Sequence, residues 1–388
     1  MKDFSPWCLL PLLLAALLLL QCGAGREVVV GAVLCLTGEG AYYGQIIHQA
    51  MDLAVDRVNA EGGIGGNPLR ILYRDTGSSP DEAARMAEEL YDRFDVPLIF
   101  GGVLSSETLR IAPIAESRHK ILISPASSSP EISRAGPHVF RVYPSDALEG
   151  AYMAQLAYDE LHLRRVTVLA VDNEFGRGIV DVFRRGYRGD EPPVVISYPP
   201  RGADYPFLAQ KAGDSGADGI YLVGYYNDMA GILKEIRKRS IPARILGTSS
   251  FGSTRALEEA GEAAEGVIYP ATVFDAKSDD PEVARFVGDF RARYGIDPDL
   301  YAAHGYDAVM VLAAALAKAG GPVPARIAQE LLAVQDYRGA SGVLSFDPAG
   351  DVVQYPRAYI VHGGKLMLFR DYLEQTRRKQ ETSTTPHP

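Results

Sequence analysis

From Arg26 onward, short apolar runs alternate with longer stretches of helical periodicity, and this alternation does most to narrow the fold. Glu27–Val33 reads as a strand. Over Tyr43–Asn59, residues Ile46, Ile47, Ala50, Met51, Ala54, Val55 and Val58 recur on one helical face. Leu69–Tyr73 reads as the next strand and Asp81–Phe94 as the next helix. Such a series predicts a parallel sheet covered on both faces, because each crossover lays a helix against it. The rhythm starts afresh with helix Ala147–His162, strand Val166–Val171 and helix Gly176–Tyr187, followed by strands Val194–Ser197 and Gly219–Val223. Helices are predicted again over Pro281–Tyr294 and Tyr301–Lys318. With 388 residues the chain exceeds one ordinary core, so an α/β protein of two doubly wound parallel-sheet lobes is expected.

The stretch Val96–Pro113 sharpens this picture. Its apolar half closes on Gly101-Gly102, a buried strand and its exit turn, and Ser105-Ser106 then stand where a helix should begin. Pro113 should shorten or kink that helix. The pattern recurs at once in strand Ile121-Leu122-Ile123 and the hydroxyl-rich loop Ser124–Glu131. Neighbouring parallel strands deliver both loops to one sheet edge, where α/β proteins bind ligands. Serine hydroxyls and helix N-terminal N–H groups there can cradle a small carboxylate, although the same serines can serve only as caps and turns. Other hydroxyls and rings fall at strand-to-helix turns: Tyr42, Tyr43, Ser127, Ser128, Phe175, Tyr225, Tyr226, Ser249, Phe251 and Tyr301. Gathered at one edge of two lobes, they describe a small-molecule cleft.

Other classes fit poorly. The formal charge is −10 with both signs interspersed and no basic stripe, which argues against a nucleic-acid partner. No phosphate loop occurs, and Gly38-Glu39-Gly40 does not continue as a dinucleotide fingerprint, so no cofactor is expected. His119, His138, His162 and His304 lack partners at ligand spacing, so no metal site is expected. Asp172 and Glu174 at the end of a strand suit capping and ligand contact better than acid–base catalysis, and nothing points to an enzyme. Cys8, Cys22 and Cys35 cannot make a disulfide framework, and Cys35 reads as a small buried residue. Residues 1–25 are a targeting segment: Lys2, then the apolar run Leu9–Leu20, then Cys22. A cysteine just after such a run resembles a bacterial lipoprotein signal, with Gln21 a departure from it, while cleavage after Ala24 is the competing reading. Either places the working chain outside the cytoplasm, with a lipid anchor at Cys22 in the first case. Residues 373–388 are expected to form a flexible tail.

Taken together, several segments resemble the leucine/isoleucine/valine-binding protein family. They are Val30–Val33 through Leu36-Thr37-Gly38 and Tyr43-Gly44, Asn59–Gly66, Ile123–Ala126, Val171–Gly176, Gly224-Tyr225, Ala302–Ala308 and Gly342–Gly350. That family comprises extracytoplasmic substrate-binding components of ABC importers, with the type I periplasmic-binding fold. The resemblance implies two lobes joined by a three-crossing hinge, residues 26–144 with 271–339 and residues 145–270 with 340–372. It implies a carboxylate-binding Ser105, main-chain and hydroxyl contacts from Ala126 through Ser127 to Ser128, pocket walls at Tyr43, Phe175 and Tyr301, and Tyr225 near a ligand ammonium. The partners implied are a small ligand and an ABC permease, although the fold also serves sensor modules with a signalling partner. One position departs. The acidic residue that follows the strand Arg244–Gly247 in branched-chain amino-acid binders is replaced here by Ser249. An ammonium ligand would then need Asp172, Glu174, Asp204 or Asp228 as counter-charge, or the ligand carries no ammonium. The cysteine pair of some members is also missing, with Leu104 at one place and Thr76 near the other.

Overall fold

The structure, a computed structural model, describes residues 27–272 and 274–384. The targeting segment and Cys22 lie outside the described residues, as do residues 385–388. The chain opens with β1 (Val28–Leu34), α1 (Ala41–Ala60), β2 (Leu69–Asp75), α2 (Pro80–Glu88), β3 (Leu98–Gly101), α3 (Ser105–Arg118), β4 (Ile121–Ser124) and β5 (Val139–Arg141). These five strands form one parallel sheet in the order β2-β1-β3-β4-β5.

The second series is α4 (Asp146–Gln155), β6 (Val166–Val171), α5 (Glu174–Gly186), β7 (Val194–Tyr198), α6 (Tyr205–Asp214), β8 (Gly219–Val223), α7 (Tyr226–Lys238), β9 (Arg244–Gly247), α8 (Thr254–Ala260) and β10 (Ile268–Ala271). Its strands pair in the parallel order β7-β6-β8-β9-β10. That is the first sheet's order repeated, so in each sheet the order in which the chain adds strands reverses once, between β1 and β3 and between β6 and β8. Three helices follow, α9 (Pro281–Tyr294), α10 (Leu300–Ala319) and α11 (Pro324–Leu332), then the hairpin β11 (Tyr337–Gly339) and β12 (Gly342–Leu344). The chain ends in β13 (Arg357–His362), β14 (Lys365–Leu368) and α12 (Phe369–Thr384), both strands antiparallel additions beyond β10.

The helix after the first strand of each half is seated by the same device. A Cβ on Gly44 in α1 would lie 2.1 Å from the Cys35 carbonyl oxygen, and one on Gly176 in α5 would lie 1.8 Å from that of Val171. Only glycine lets those helices come this close to their strand ends.

Three expectations are corrected. Pro113 does not shorten α3, which runs on to Arg118 with the proline inside it. Residues 373–384, expected as part of a loose tail, continue α12, which begins at Phe369 with Phe369 buried and Tyr372 beside His362. Residues 340–352, expected with the second lobe, are bonded instead to elements of the first. Asp307 in α10 accepts from Ala340 N–H at 2.8 Å and Ser341 N–H at 2.7 Å. Arg141 N–H donates to the Gly350 carbonyl at 3.0 Å, and Phe140 meets Phe346 edge-on at 5.9 Å. The return toward β13 therefore comes after Val352.

Candidate functional site

Where the carboxyl ends of the two sheets face each other, a small cavity is lined from both halves. Of the residues expected at a site, it brings together Tyr43, Ser105, Ala126, Ser128, Phe175, Tyr225, Ser249 and Tyr301. Ser127 is not in the wall. Its hydroxyl is turned to the carbonyls of Gly102 and Val103, 3.1 Å from each, and sits 2.6 Å from the Thr108 hydroxyl. With Ser124, whose hydroxyl donates to Gly102 at 2.8 Å and accepts from Ser127 N–H at 2.9 Å, it stitches the β3 and β4 loops together.

Ser105 is the first residue of α3. Its hydroxyl oxygen accepts from Ser128 N–H at 3.3 Å and Ser129 N–H at 3.2 Å. Two lone pairs occupied in this way leave its O–H as a donor, at the positive end of a helix. Glu107 keeps that helix start in place: its buried carboxylate accepts from Val103 N–H at 3.2 Å, Leu104 N–H at 3.1 Å and the Thr76 hydroxyl. Thr76 and Leu104 are thus drawn together through Glu107 by hydrogen bonds.

The remaining wall is aromatic. Tyr143 stacks on Tyr301 at 5.6 Å and 4°, and Phe175 on Tyr225 at 5.7 Å and 20°. Asn173, which caps α5 through Gly176 N–H, also donates to the Tyr225 hydroxyl at 3.0 Å. Burial pushes the Tyr43 and Tyr225 phenols well above their ordinary values, so both stay neutral. Tyr43 spans the gap, its hydroxyl accepting from Tyr226 N–H of the second sheet's α7 at 3.0 Å. Nearer the surface, Arg201 reaches across to Glu39 at 3.2 Å and to the Gly77 carbonyl at 3.4 Å. Val103, Leu104, Tyr143 and Ser250 also line the cavity and were missed from sequence. Tyr143 follows β5, whose three residues are too short to show a period. The Ser145 cap at the start of α4 was the available signal that a strand exit lies just before it.

Among the described residues lining the cavity, none is charged. The four acids that could have balanced an ammonium group do not line the cavity, and each has a partner elsewhere, although Oδ2 of Asp228 has none. Asp172 and Glu174 both hold Arg177, at 2.7 and 3.1 Å, Asp204 caps α6, and Asp228 accepts from Tyr205 at 3.0 Å. Two other carboxylates lie just behind the wall. Asp146 accepts from the Ser128 hydroxyl at 2.9 Å, and Glu149 from Ser249 N–H at 3.0 Å. Burial raises both above the ordinary carboxylate range. The charge of Asp146 adds to the rise at Glu149, while Ser128 and Arg141 oppose it at Asp146.

A group whose folded-state pKa is raised keeps its proton longer in the folded chain. The stability it contributes is complete below the ordinary carboxylate pKa and is lost as pH rises through the raised one. In the ligand-free protein the Asp146→Asn/Glu149→Gln variant should therefore flatten the fall in unfolding free energy across that interval, measured by urea denaturation at a series of pH values. The groups facing the pair are Arg141, Tyr143 and Tyr221, and a parent-like slope in the variant would refute this account.

A family model described as periplasmic binding protein matches residues 27–362, and the chain belongs to that family. It is 26% identical over 323 residues to a leucine-, isoleucine-, valine-, threonine- and alanine-binding protein of Pseudomonas aeruginosa, covering 82% of this chain and 86% of that one. Among solved structures, the leucine binding protein LivK of Thermotoga maritima superposes with a TM-score of 0.82 at 28% identity, covering 88% of this chain and 97% of that one. An ABC transporter substrate-binding protein of Desulfitobacterium hafniense in complex with Leu gives a TM-score of 0.74 at 25% identity, covering 89% and 100%. Both solved structures share this chain's fold.

Proposed function

We propose that this protein is the extracytoplasmic solute-binding component of an ABC importer, closing two lobes on a small carboxylate-bearing ligand and presenting the closed form to a permease. The ligand class is an amino acid or a related acid or amide. The observation that carries this reading is the convergence of Ser105, Ser128 and the N-terminus of α3 with Phe175, Tyr225 and Ser249 on one cavity between the two sheets. In the first set the Ser105 hydroxyl and the N–H groups at the start of α3 are neutral donors for an acid group, and Ser128, which gives its N–H to Ser105 and its O–H to Asp146, holds them in place; the second set closes over the rest. The first lobe comprises residues 27–144 with 271–352, and the second residues 145–270 with those from 353 to about 372. A ligand that touches both walls only when they meet shifts the open–closed equilibrium by that difference in contact. Relatives named for binding leucine and other amino acids support the ligand class. The reading includes export of the chain, with an anchor at Cys22 that would hold it beside a membrane permease.

The test is calorimetry with Ser105→Ala against a panel of L-amino acids and simple carboxylic acids. A hydrogen bond to a charged group is worth about 1.5–3 kcal/mol, so affinity for the best ligand should fall about 10- to 100-fold. Parent-like affinity in Ser105→Ala would remove the carboxylate assignment.

A further inference from the structure

Glu107 stands in the first turn of α3, where a glutamate can fold back to cap its own helix start. Glutamate is rarely buried without a cation, yet this side chain has no exposed area. Its Oε2 accepts from Val103 N–H and Leu104 N–H, and its Oε1 from the Thr76 hydroxyl. Among the described residues no lysine, arginine or histidine pairs with it. Gly102 makes room for it: an added Cβ there would lie 2.4 Å from Cβ of Glu107 and 3.0 Å from Oε2. Val103 and Leu104 line the main cavity, so the carboxylate lies one hydrogen bond behind the wall, on the same helical turn as Ser105. The titratable groups that face it are Asp75 and Cys35 from the first half and Tyr225 from the second. Asp75 accepts from the N–H groups of Leu36, Thr37 and Gly77 at 2.9, 3.1 and 2.9 Å and so holds its negative charge. Burial keeps Cys35 and Tyr225 neutral. None of the three offers a positive charge.

These bonds survive the arrival of a proton. Thr76 Oγ accepts from Ser78 N–H at 3.1 Å and keeps a second lone pair. A proton on the oxygen that faces Thr76 reverses that one bond and leaves both N–H bonds on Oε2 in place. We propose that Glu107 is a positioning residue coupled to the ligand through a proton: it frames the start of α3 in either state, and it takes up a proton from solvent when an acid head docks on Ser105. This rests on the carboxylate-binding reading above and adds its control by pH. Without the proton, two negative charges would share one buried helix start with no cation beside them. Burial, to which Asp75 adds, pushes the Glu107 carboxyl up to about 7 against the pull of its three donors, which brings the change within reach of neutral pH. A complex that holds more protons than its separate parts forms more readily as pH falls.

The experiment titrates the intact chain by calorimetry with L-leucine, L-alanine and benzoate. The tightest binder is then followed from about pH 6 to about pH 8.5, in two buffers of different ionisation enthalpy. The expected result is proton uptake on binding and affinity about five- to tenfold higher at the acid end, as follows from a rise of about one pKa unit in the complex. Glu107→Gln, which resembles the protonated form, should bind about five- to tenfold more tightly than the parent at the alkaline end and lose most of the pH dependence. A glutamate with a structural role alone would, when replaced, change affinity equally at every pH. The Asp146→Asn/Glu149→Gln variant separates the other buried carboxylates: the share of proton uptake that Glu107→Gln removes should persist in it. A parent that binds without proton uptake, or a Glu107→Gln variant that keeps the parent's pH profile, overturns the proposal. If such binding is still lost in Ser105→Ala, the carboxylate reading stands alone. Should none of the three probes bind, both fall together.

Discussion

Replacing Arg141 by leucine should lower stability by about 3–5 kcal/mol in urea unfolding, because it strands Asp351 as a buried charge. The Arg141 side chain is wholly buried. It forks onto both oxygens of Asp351 at 2.7 and 2.6 Å, and donates to the Ser129 carbonyl at 2.8 Å and the Ser133 hydroxyl at 2.7 Å. Ser129 belongs to the donor loop that meets Ser105, so the same variant should also weaken ligand binding. The double variant Arg141→Leu/Asp351→Leu removes both charges and should recover part of the loss, since a matched apolar pair costs less than one stranded ion. Recovery is the decisive measurement. If the double variant is as damaged as the sum of the two single ones, the ion pair is not what holds residues 346–352 to β5.

Gly176→Ala should be the most damaging small substitution in the second half. Its Cβ would sit 1.8 Å from the Val171 carbonyl oxygen, a backbone atom that cannot step aside without moving β6 or α5. Overpacking costs about 1–3 kcal/mol and sometimes more, and a backbone collision belongs at the upper end. The displaced turn carries Phe175 and loosens the Asn173 cap, so affinity should drop along with stability. Gly288→Ala provides the contrast. That position in α9 has nothing within 4 Å of the added carbon, and the substitution should stabilise by about 0.4–1 kcal/mol. Equal effects at the two positions would refute the close-approach argument for α5.

Strand-to-helix alternation was legible because buried parallel strands read as continuous apolar runs and their helices show one apolar face. Legibility failed where a segment's partner is far away in sequence. The residues Val139–Arg141 carry no period of their own, and β5 exists because β4 lies beside it. With β5 went Tyr143. The Ala340–Val352 return binds Asp307, Val334 and Arg141, contacts that no local pattern announces. The two carboxylates just behind the wall were missed for the opposite reason. Asp146 and Glu149 look like the ordinary acidic first turn of a helix, and only folding buries them behind Ser128 and Ser249. By contrast Ser105, Ser128 and Phe175 were found because strand ends in such sheets converge on one edge.

The strand order shared by the two sheets has a further implication. One wiring scheme used twice aims equivalent loops at the same guest from opposite directions, yet the two sets differ in chemistry. The early half lines the cavity with Ser105, Ser128 and the helix start, which on the proposed reading meet the guest's acid head, while the later half lines it with Phe175 and Tyr225, which on that reading meet the rest of it. If the proposed function holds, the acid head is vetted by one half and the remainder by the other, so a taste for a new tail can be acquired by editing one half alone.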